Sequence, residues 1–332
     1  MKLSFEEIKS IALGAVECEM VDGAVRLYRF TKEQRDFYNG KHVPYCTSGI
    51  KLWFETDSKN LKITVNPYKE YTSRKYFSVD ILVNGQPVGH IDNFSDMELP
   101  QNYVGITPEI ERASGEFALG EGIKSVCVYM PWSVAMEIEE FSLDDGATLK
   151  PIKPSKKLLV YGDSITQGYD ALRNYNKYIT RLAEALDAEE INKGVGGEVF
   201  RTELAKLKDN FNPDYITVAY GTNDLSMRQR DDFEKDCRGF YEAISKNYPD
   251  SKIFAITPTW RYYTEPQPLG NIGNVSDFIK EVAEPLPNVT VIDGYDLIPH
   301  DRDLYADLRI HPTDQGFEHY FKNLYAKIKE FI

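Results

Sequence analysis

Between about residues 25 and 145 the chain alternates apolar and polar positions with a period of two. Ile50, Leu52 and Phe54 fall on one face of such a run, Lys51 and Glu55 on the other. Leu61, Ile63 and Val65 repeat the pattern, and so do Phe77, Val79, Ile81 and Val83. Further runs are Val126, Val128 and Met130, then Val134, Met136 and Ile138. Successive side chains of a strand point to opposite faces, so each run predicts a strand with one buried face. Asn84-Gly85 follows one of them directly and predicts a tight hairpin. With little helical periodicity between the runs, the segment reads as an all-β sandwich or jelly roll.

Asp144 to Lys156, with Gly146, Pro151 and Pro154 and few apolar side chains, marks a boundary that divides the chain into residues 1–150 and 151–332. Beyond it the pattern changes. Short apolar strands are predicted at 157–161, 214–220, 252–257 and 288–293, with a further one at 189–192. Helical stretches at roughly 174–187, 199–209, 231–247, 272–285 and 313–331 separate them. In the last, Phe317, Tyr320, Leu324, Ile328 and Phe331 recur at spacings of three and four. Strands alternating with helices imply a parallel sheet with right-handed crossovers and helices on both faces. Ligands of such sheets bind beyond the carboxyl ends of the strands.

Composition narrows the partners. The chain has 332 residues, of which 42% are hydrophobic and 27% charged, an ordinary globular balance. A formal net charge of -13 argues against nucleic acid or an anionic membrane as partner. Glu6, Glu7 and Lys9 interrupt the apolar residues of the first fourteen positions, so no secretory leader is expected, and no 18-residue apolar run predicts a membrane span. Cys18, Cys46, Cys127 and Cys237 are scattered, without a CxxC pair. That predicts neither a disulfide framework nor a zinc site, and a reduced, cytoplasmic compartment fits best. No cofactor or metal is expected, and oligomeric state is left open.

Four polar clusters lie at or just past predicted strand ends: Gly162-Asp163-Ser164-Ile165-Thr166, Asn192-Lys193-Gly194-Val195-Gly196-Gly197, Gly221-Thr222-Asn223-Asp224, and Asp307-Leu308-Arg309-Ile310-His311-Pro312. The first three each have a plain structural reading: a capping Ser, a turn glycine, an Asx turn. The glycine cluster does not fit a phosphate-binding P-loop, because GxxxxGK[ST] is absent and it follows the second strand rather than the first.

Taken together and in this order, the four clusters resemble the signature blocks of the SGNH (GDSL-like) hydrolases, and they cover essentially the whole second half. The resemblance implies a flavodoxin-like three-layer α/β domain that hydrolyses an ester through a serine. Ser164 would be the nucleophile, activated by a His because a hydroxyl attacks poorly until a base takes its proton. His311 stands where the family's base stands, before Pro312 and the Thr313 cap; His300 is the serious rival among His42, His90, His300, His311 and His319. The oxyanion of the intermediate needs preorganised donors. The resemblance assigns these to the Ser164 N–H, the Gly197 N–H and the Asn223 side-chain amide, with Gly194 competing for the second place. The family sets its Asp three residues before the His; here that position is Leu308 and Asp307 lies four before. Either the loop bulges so that Asp307 reaches His311, or a Ser–His dyad leans on a backbone carbonyl.

A β-domain joined to such a hydrolase resembles the family-two carbohydrate esterases, which deacetylate sugars. The resemblance points to short acyl esters, acetyl above all, of a small molecule or oligosaccharide. Trp260 and Tyr169, and also Trp132, could offer a stacking platform to a sugar ring or simply pack. The competing readings are a lipase or thioesterase acting on longer acyl chains and a carbohydrate-binding protein without catalysis.

Overall fold

The protein, described by a computed structural model, is defined at every residue except 40, 42, 70 and 71, so His42 lies outside the described residues. In the first half two antiparallel sheets face each other. One runs β1 (Ala12–Leu13), β4 (Lys51–Thr56), β9 (Lys124–Tyr129), β6 (Ser78–Val83), β7 (Gln86–Asp92), with β11 (Lys150–Pro151) also on β4. The other runs β2 (Glu17–Val21), β3 (Ala24–Tyr28), β10 (Ala135–Leu143), β5 (Asn60–Lys69), β8 (Ala113–Ala118). The alternating residues meet between them: Leu52, Phe54, Val79, Ile81 and Val128 of one sheet share a core with Leu61, Ile63, Val65, Met136 and Ile138 of the other. Each such side chain contributes about 1.5–3 kcal/mol by leaving water. Asn84 (φ 50°) and Gly85 (φ 77°) both take the positive φ that the β6–β7 hairpin requires.

This half is not purely β. Helices α1 (Phe5–Ile11) and α2 (Lys32–Phe37) each open with a capping box, Ser4 with Glu7 and Thr31 with Gln34. The S/T-x-x-E/Q spacing carries that signal in the sequence, but both helices are too short to show a clear 3.6-residue period.

In the second half β12 (Lys156–Gly162), β13 (Ala188–Asn192), β14 (Tyr215–Ala219), β15 (Lys252–Ile256) and β16 (Val289–Ile292) form a parallel sheet ordered β13-β12-β14-β15-β16. Short helices α3 (Ser164–Gln167), α5 (Thr202–Lys206) and α6 (Thr222–Met227) accompany the longer α4 (Tyr178–Ala185), α7 (Arg230–Asn247), α8 (Ile272–Ala283) and α9 (Asp314–Ile328). Leu158, Val160, Phe254 and Ile256 point to a core shared with α4 and α9. Leu159, Tyr161, Ile216 and Val218 point to one shared with α5, α7 and α8. The sheet is therefore buried on both faces, which is why its strands read as near-continuous apolar runs. Strand order reverses between β12 and β14, which opens a crevice at their carboxyl ends.

The two halves share these cores. Tyr76, Phe94, Tyr103 and Trp132 join the α4–α9 cluster, and Phe30 and Tyr38 join the other.

Candidate active site

β12 delivers its last residues straight into a single turn of helix. A Cβ on Gly162 would lie 2.1 Å from Thr166 Oγ1, so the turn closes only around a glycine. Asp163 caps the turn by accepting the Ile165 N–H at 2.9 Å. This sets Ser164 at the first helical position, nearly buried, with Oγ 2.9 Å from His311 Nε2.

His311 comes from the loop between β16 and α9, where Thr313 caps α9 by accepting the Gly316 N–H. Its Nδ1 lies 2.8 Å from Asp307 Oδ2. A carboxylate only accepts, so Nδ1 carries the proton and Nε2 is left to accept from the Ser164 hydroxyl. The extra residue between Asp307 and His311 is taken up at Leu308, whose φ is 57°. A left-handed leucine costs about 1–2 kcal/mol. The loop is held in place because Asp307 Oδ1 accepts the N–H groups of Arg309 (2.9 Å), Ile310 (2.7 Å) and His311 (3.1 Å). Burial pushes the Asp307 carboxyl up, but the hydrogen bond and charge of His311 and the Ile310 and His311 N–H groups outweigh it and hold it at about 2.

The three glycines after β13 differ in what their N–H groups do. Gly194 donates to Asn192 Oδ1 and Gly196 to Gln167 Oε1, both at 2.8 Å. Gly197 (φ 75°) finds no acceptor among the described residues, and open space surrounds its missing Cβ. Asn223, in the first turn of α6, gives one amide hydrogen to Glu198 O at 3.0 Å and keeps the other. The acids beside these donors are buried. Burial lifts Asp163 to about 6 against the Ile165 N–H, and Asp224 to about 7 against the Phe200 N–H.

The rival His300 pairs with Asp296 at 3.0 Å and stacks on Trp260, away from Ser164. Trp260 lines a cleft of about 580 Å³ with Tyr262, Tyr263 and Tyr295. The cleft adjoins the site's loops: Tyr262 N–H donates to Arg309 O at 2.9 Å, and Arg261 Nη1 donates to Thr222 O at 2.7 Å. Tyr169 is buried between Trp132 and the His311 ring. Trp132 is buried too, its indole N–H on Ala171 O, so its face serves packing.

Some residues at the site carry no motif. Buried Asp170 places Oδ2 3.5 Å from His311 Nδ1 and is gripped by Arg74 and Tyr76 of the first half. Buried Arg29 of the first half donates to the carbonyls of Asn192 (2.9 Å) and Gly194 (2.5 Å). Only the Thr/Ser-capping and block spacings are visible in sequence; these partners are more than 90 residues from what they hold. Asp170, Asp307 and His311 bring ligand-type atoms within 4.8 Å of one another. Their hydrogen bonds to one another, to Arg74 and to Tyr76 already occupy those atoms. The four cysteines are free thiols, and no helix among the described residues is long and apolar enough to cross a membrane.

The fold is of the α/β class, and residues 160–319, just under half of the chain, match the model of the GDSL-like Lipase/Acylhydrolase family. All four polar blocks lie within the matched span. A comparison with curated proteins found no match. Among solved structures the chain is similar to the salicylyl-acyltransferase SsfX3 from a tetracycline biosynthetic pathway, at 20% identity and TM-score 0.75 over 96% of this chain and 94% of that one. It is similar to a protein described as a GDSL-like lipase from Bacteroides ovatus, at 18% identity and TM-score 0.77 over 99% and 97%. It is also similar to a family-two carbohydrate esterase from Clostridium thermocellum in complex with cellohexaose, at 16% identity and TM-score 0.63 over 86% and 93%.

Proposed function

We propose that the protein is a serine esterase that removes short acyl groups, acetyl above all, from carbohydrate esters. The observation that carries this reading is the unbroken hydrogen-bond chain Ser164 Oγ–His311 Nε2 (2.9 Å) and His311 Nδ1–Asp307 Oδ2 (2.8 Å). Ser164 Oγ attacks the ester carbonyl carbon while its proton passes to His311 Nε2. The resulting oxyanion is met by the N–H groups of Ser164 and Gly197 and the spare Asn223 amide hydrogen. The intermediate then expels the alcohol, which takes the proton back from His311, and an acyl-serine remains. Water, deprotonated by His311, hydrolyses it and regenerates Ser164. Asp307 stays ionised and keeps the imidazole aligned.

The carbohydrate part of the reading draws support from the cleft beside the site. Its aromatic rings lie among Asp277, Lys280, Asp293 and Asp296, a lining suited to hydroxyl groups and poor for a long acyl chain. The similarity to a carbohydrate esterase described with cellohexaose points the same way. We take residues 1–150 as a jelly-roll unit set against a hydrolase unit of residues 151–332. The facing strand orders β3-β10-β5-β8 and β4-β9-β6-β7, which form two Greek keys, support that reading.

The test is hydrolysis of p-nitrophenyl acetate and octanoate by the wild type and Ser164→Ala. Acetate turnover that disappears in the variant, with little octanoate turnover, is expected, followed by acetate release from acetylated xylo-oligosaccharides. Octanoate preference would replace the reading with a lipase, and unchanged activity in the variant would remove Ser164 as nucleophile.

A further inference from the structure

Asp170 is the group at the site that the triad does not use. It follows the Gly168 cap of α3, and its own φ of 70° is one that Asp and Asn tolerate better than other side chains. Its carboxylate is fully buried. Arg74 Nε donates to Oδ1 at 2.6 Å and Nη2 to Oδ2 at 2.9 Å, a two-point grip; the Tyr76 hydroxyl donates to Oδ1. The Tyr103 hydroxyl holds the Asp170 carbonyl at 2.6 Å. All three holding residues belong to the first half. Arg74 alone would satisfy a buried carboxylate. The grip does more, because it aims Oδ2 at His311 Nδ1, 3.5 Å away, beside the position where Asp307 accepts at 2.8 Å.

We propose that Asp170 is a second positioning carboxylate for His311, held by Arg74 and Tyr76, and that it accepts the Nδ1–H when Asp307 cannot. The proposal rests on the reading of His311 as the base. Asp307 is the resting partner by distance. As the proton moves from Ser164 Oγ to Nε2, the ring becomes an imidazolium, and both carboxylates then face its positive charge. Arg74 sets how much of Asp170's charge the ring feels. The other groups that bear on this imidazole are Asp163 at the end of β12, Arg261 after β15, which acts on Asp163 and Asp307, and the stacked Tyr169.

The experiment compares kcat/KM across pH for p-nitrophenyl acetate in the full chain and its Ser164→Ala, Asp307→Asn, Asp170→Asn, Asp307→Asn/Asp170→Asn and Arg74→Gln variants. Asparagine retains the left-handed backbone at position 170, and circular dichroism and melting curves verify folding of every variant. Asp307→Asn should lose only about 10–100-fold, against the ~10⁴ lost when a sole orienting acid is neutralised. The double variant should fall at least a further ~10²-fold, back to that larger loss. Asp170→Asn removes a negative charge, so its acidic limb should move to lower pH; Arg74→Gln removes a positive one, so its limb should move to higher pH. A purely structural role would not give opposite shifts. Asp307→Asn as inactive as the double variant, or limbs that stay put or move together in the two single variants, would overturn the proposal. Ser164→Ala that keeps its activity would instead overturn the underlying reading and the proposal with it.

Discussion

Asn223 uses one amide hydrogen to hold Glu198 O, and the proposed function assigns the other to the substrate oxyanion. Asn223→Ala is therefore expected to lower kcat by about 10²–10³-fold with a much smaller change in KM, the mark of a donor that acts in the transition state. Asp224, next along, makes a prediction of another kind. Its folded carboxyl sits at about 7 against an ordinary 3.8, because it is buried and its Oδ2 has no partner. The folded state thus binds this proton more tightly than the unfolded one, so its contribution to stability is full below about pH 4 and drains away as pH rises to 7. Asp163 has the same sign over a narrower window, while Asp307, held at about 2, has the opposite sign and gives up its contribution only as pH falls toward 2. Asp224→Asn keeps the acceptor for Phe200 N–H and cannot ionise. It should melt with the wild type near pH 4 and be more stable by about 1–3 kcal/mol at pH 8, a gap that thermal melts over that range would reveal. A constant gap would place the effect in packing rather than in ionisation.

At the scale of elements, the site is a set of strand-to-helix turns held from behind. The turn after β13 that presents Gly197 hangs on Arg29, whose guanidinium also holds Cys46 O and Val43 O. Arg29→Met strips four carbonyls of their donor in a closed interior. It should cost about 3–5 kcal/mol and reduce kcat, with chemical denaturation and turnover falling together. The ends of β12, β13 and β14 were legible from sequence because buried parallel strands are short apolar runs and the polar blocks stop them sharply. The shape of the His311 loop was not. One residue too many separated Asp307 from His311, and the chain alone allowed either a bulge or a dyad. The left-handed Leu308 selects the bulge, stabilised by three N–H bonds to one oxygen that no spacing rule encodes. Helices α1 and α2 were hidden for the converse reason: their capping boxes were written in the chain, but six or seven residues carry too little periodicity to be weighed against strands on either side.

At the scale of the molecule, the sandwich and the hydrolase sheet are joined by an aromatic seam and by buried charges. Tyr76, Phe94, Tyr103 and Trp132 fill the α4–α9 core from outside it, and Arg29 and Arg74 cross to opposite sides of the site. Residues 151–332 expressed alone should expose that seam, bind a hydrophobic dye and hydrolyse p-nitrophenyl acetate poorly; a monomeric fragment with full turnover would show that the first half only packs. Of this seam only Trp132 could be suspected along the chain, as a candidate for packing between the halves, since alternation reveals which face of a strand is buried but not what lies against it. The order of assembly follows from the same contacts. Arg74 lies early in the chain, Ser164 near its middle and His311 close to its end. A chain still emerging from the ribosome thus carries Ser164 and Asp170 before His311 and Asp307, the residues that complete their hydrogen-bonded cluster, have been made. On the proposed reading, a molecule made only as far as the hydrolase sheet would stay chemically silent toward the esters around it until the loop that bears His311 joins parts already in place to receive it.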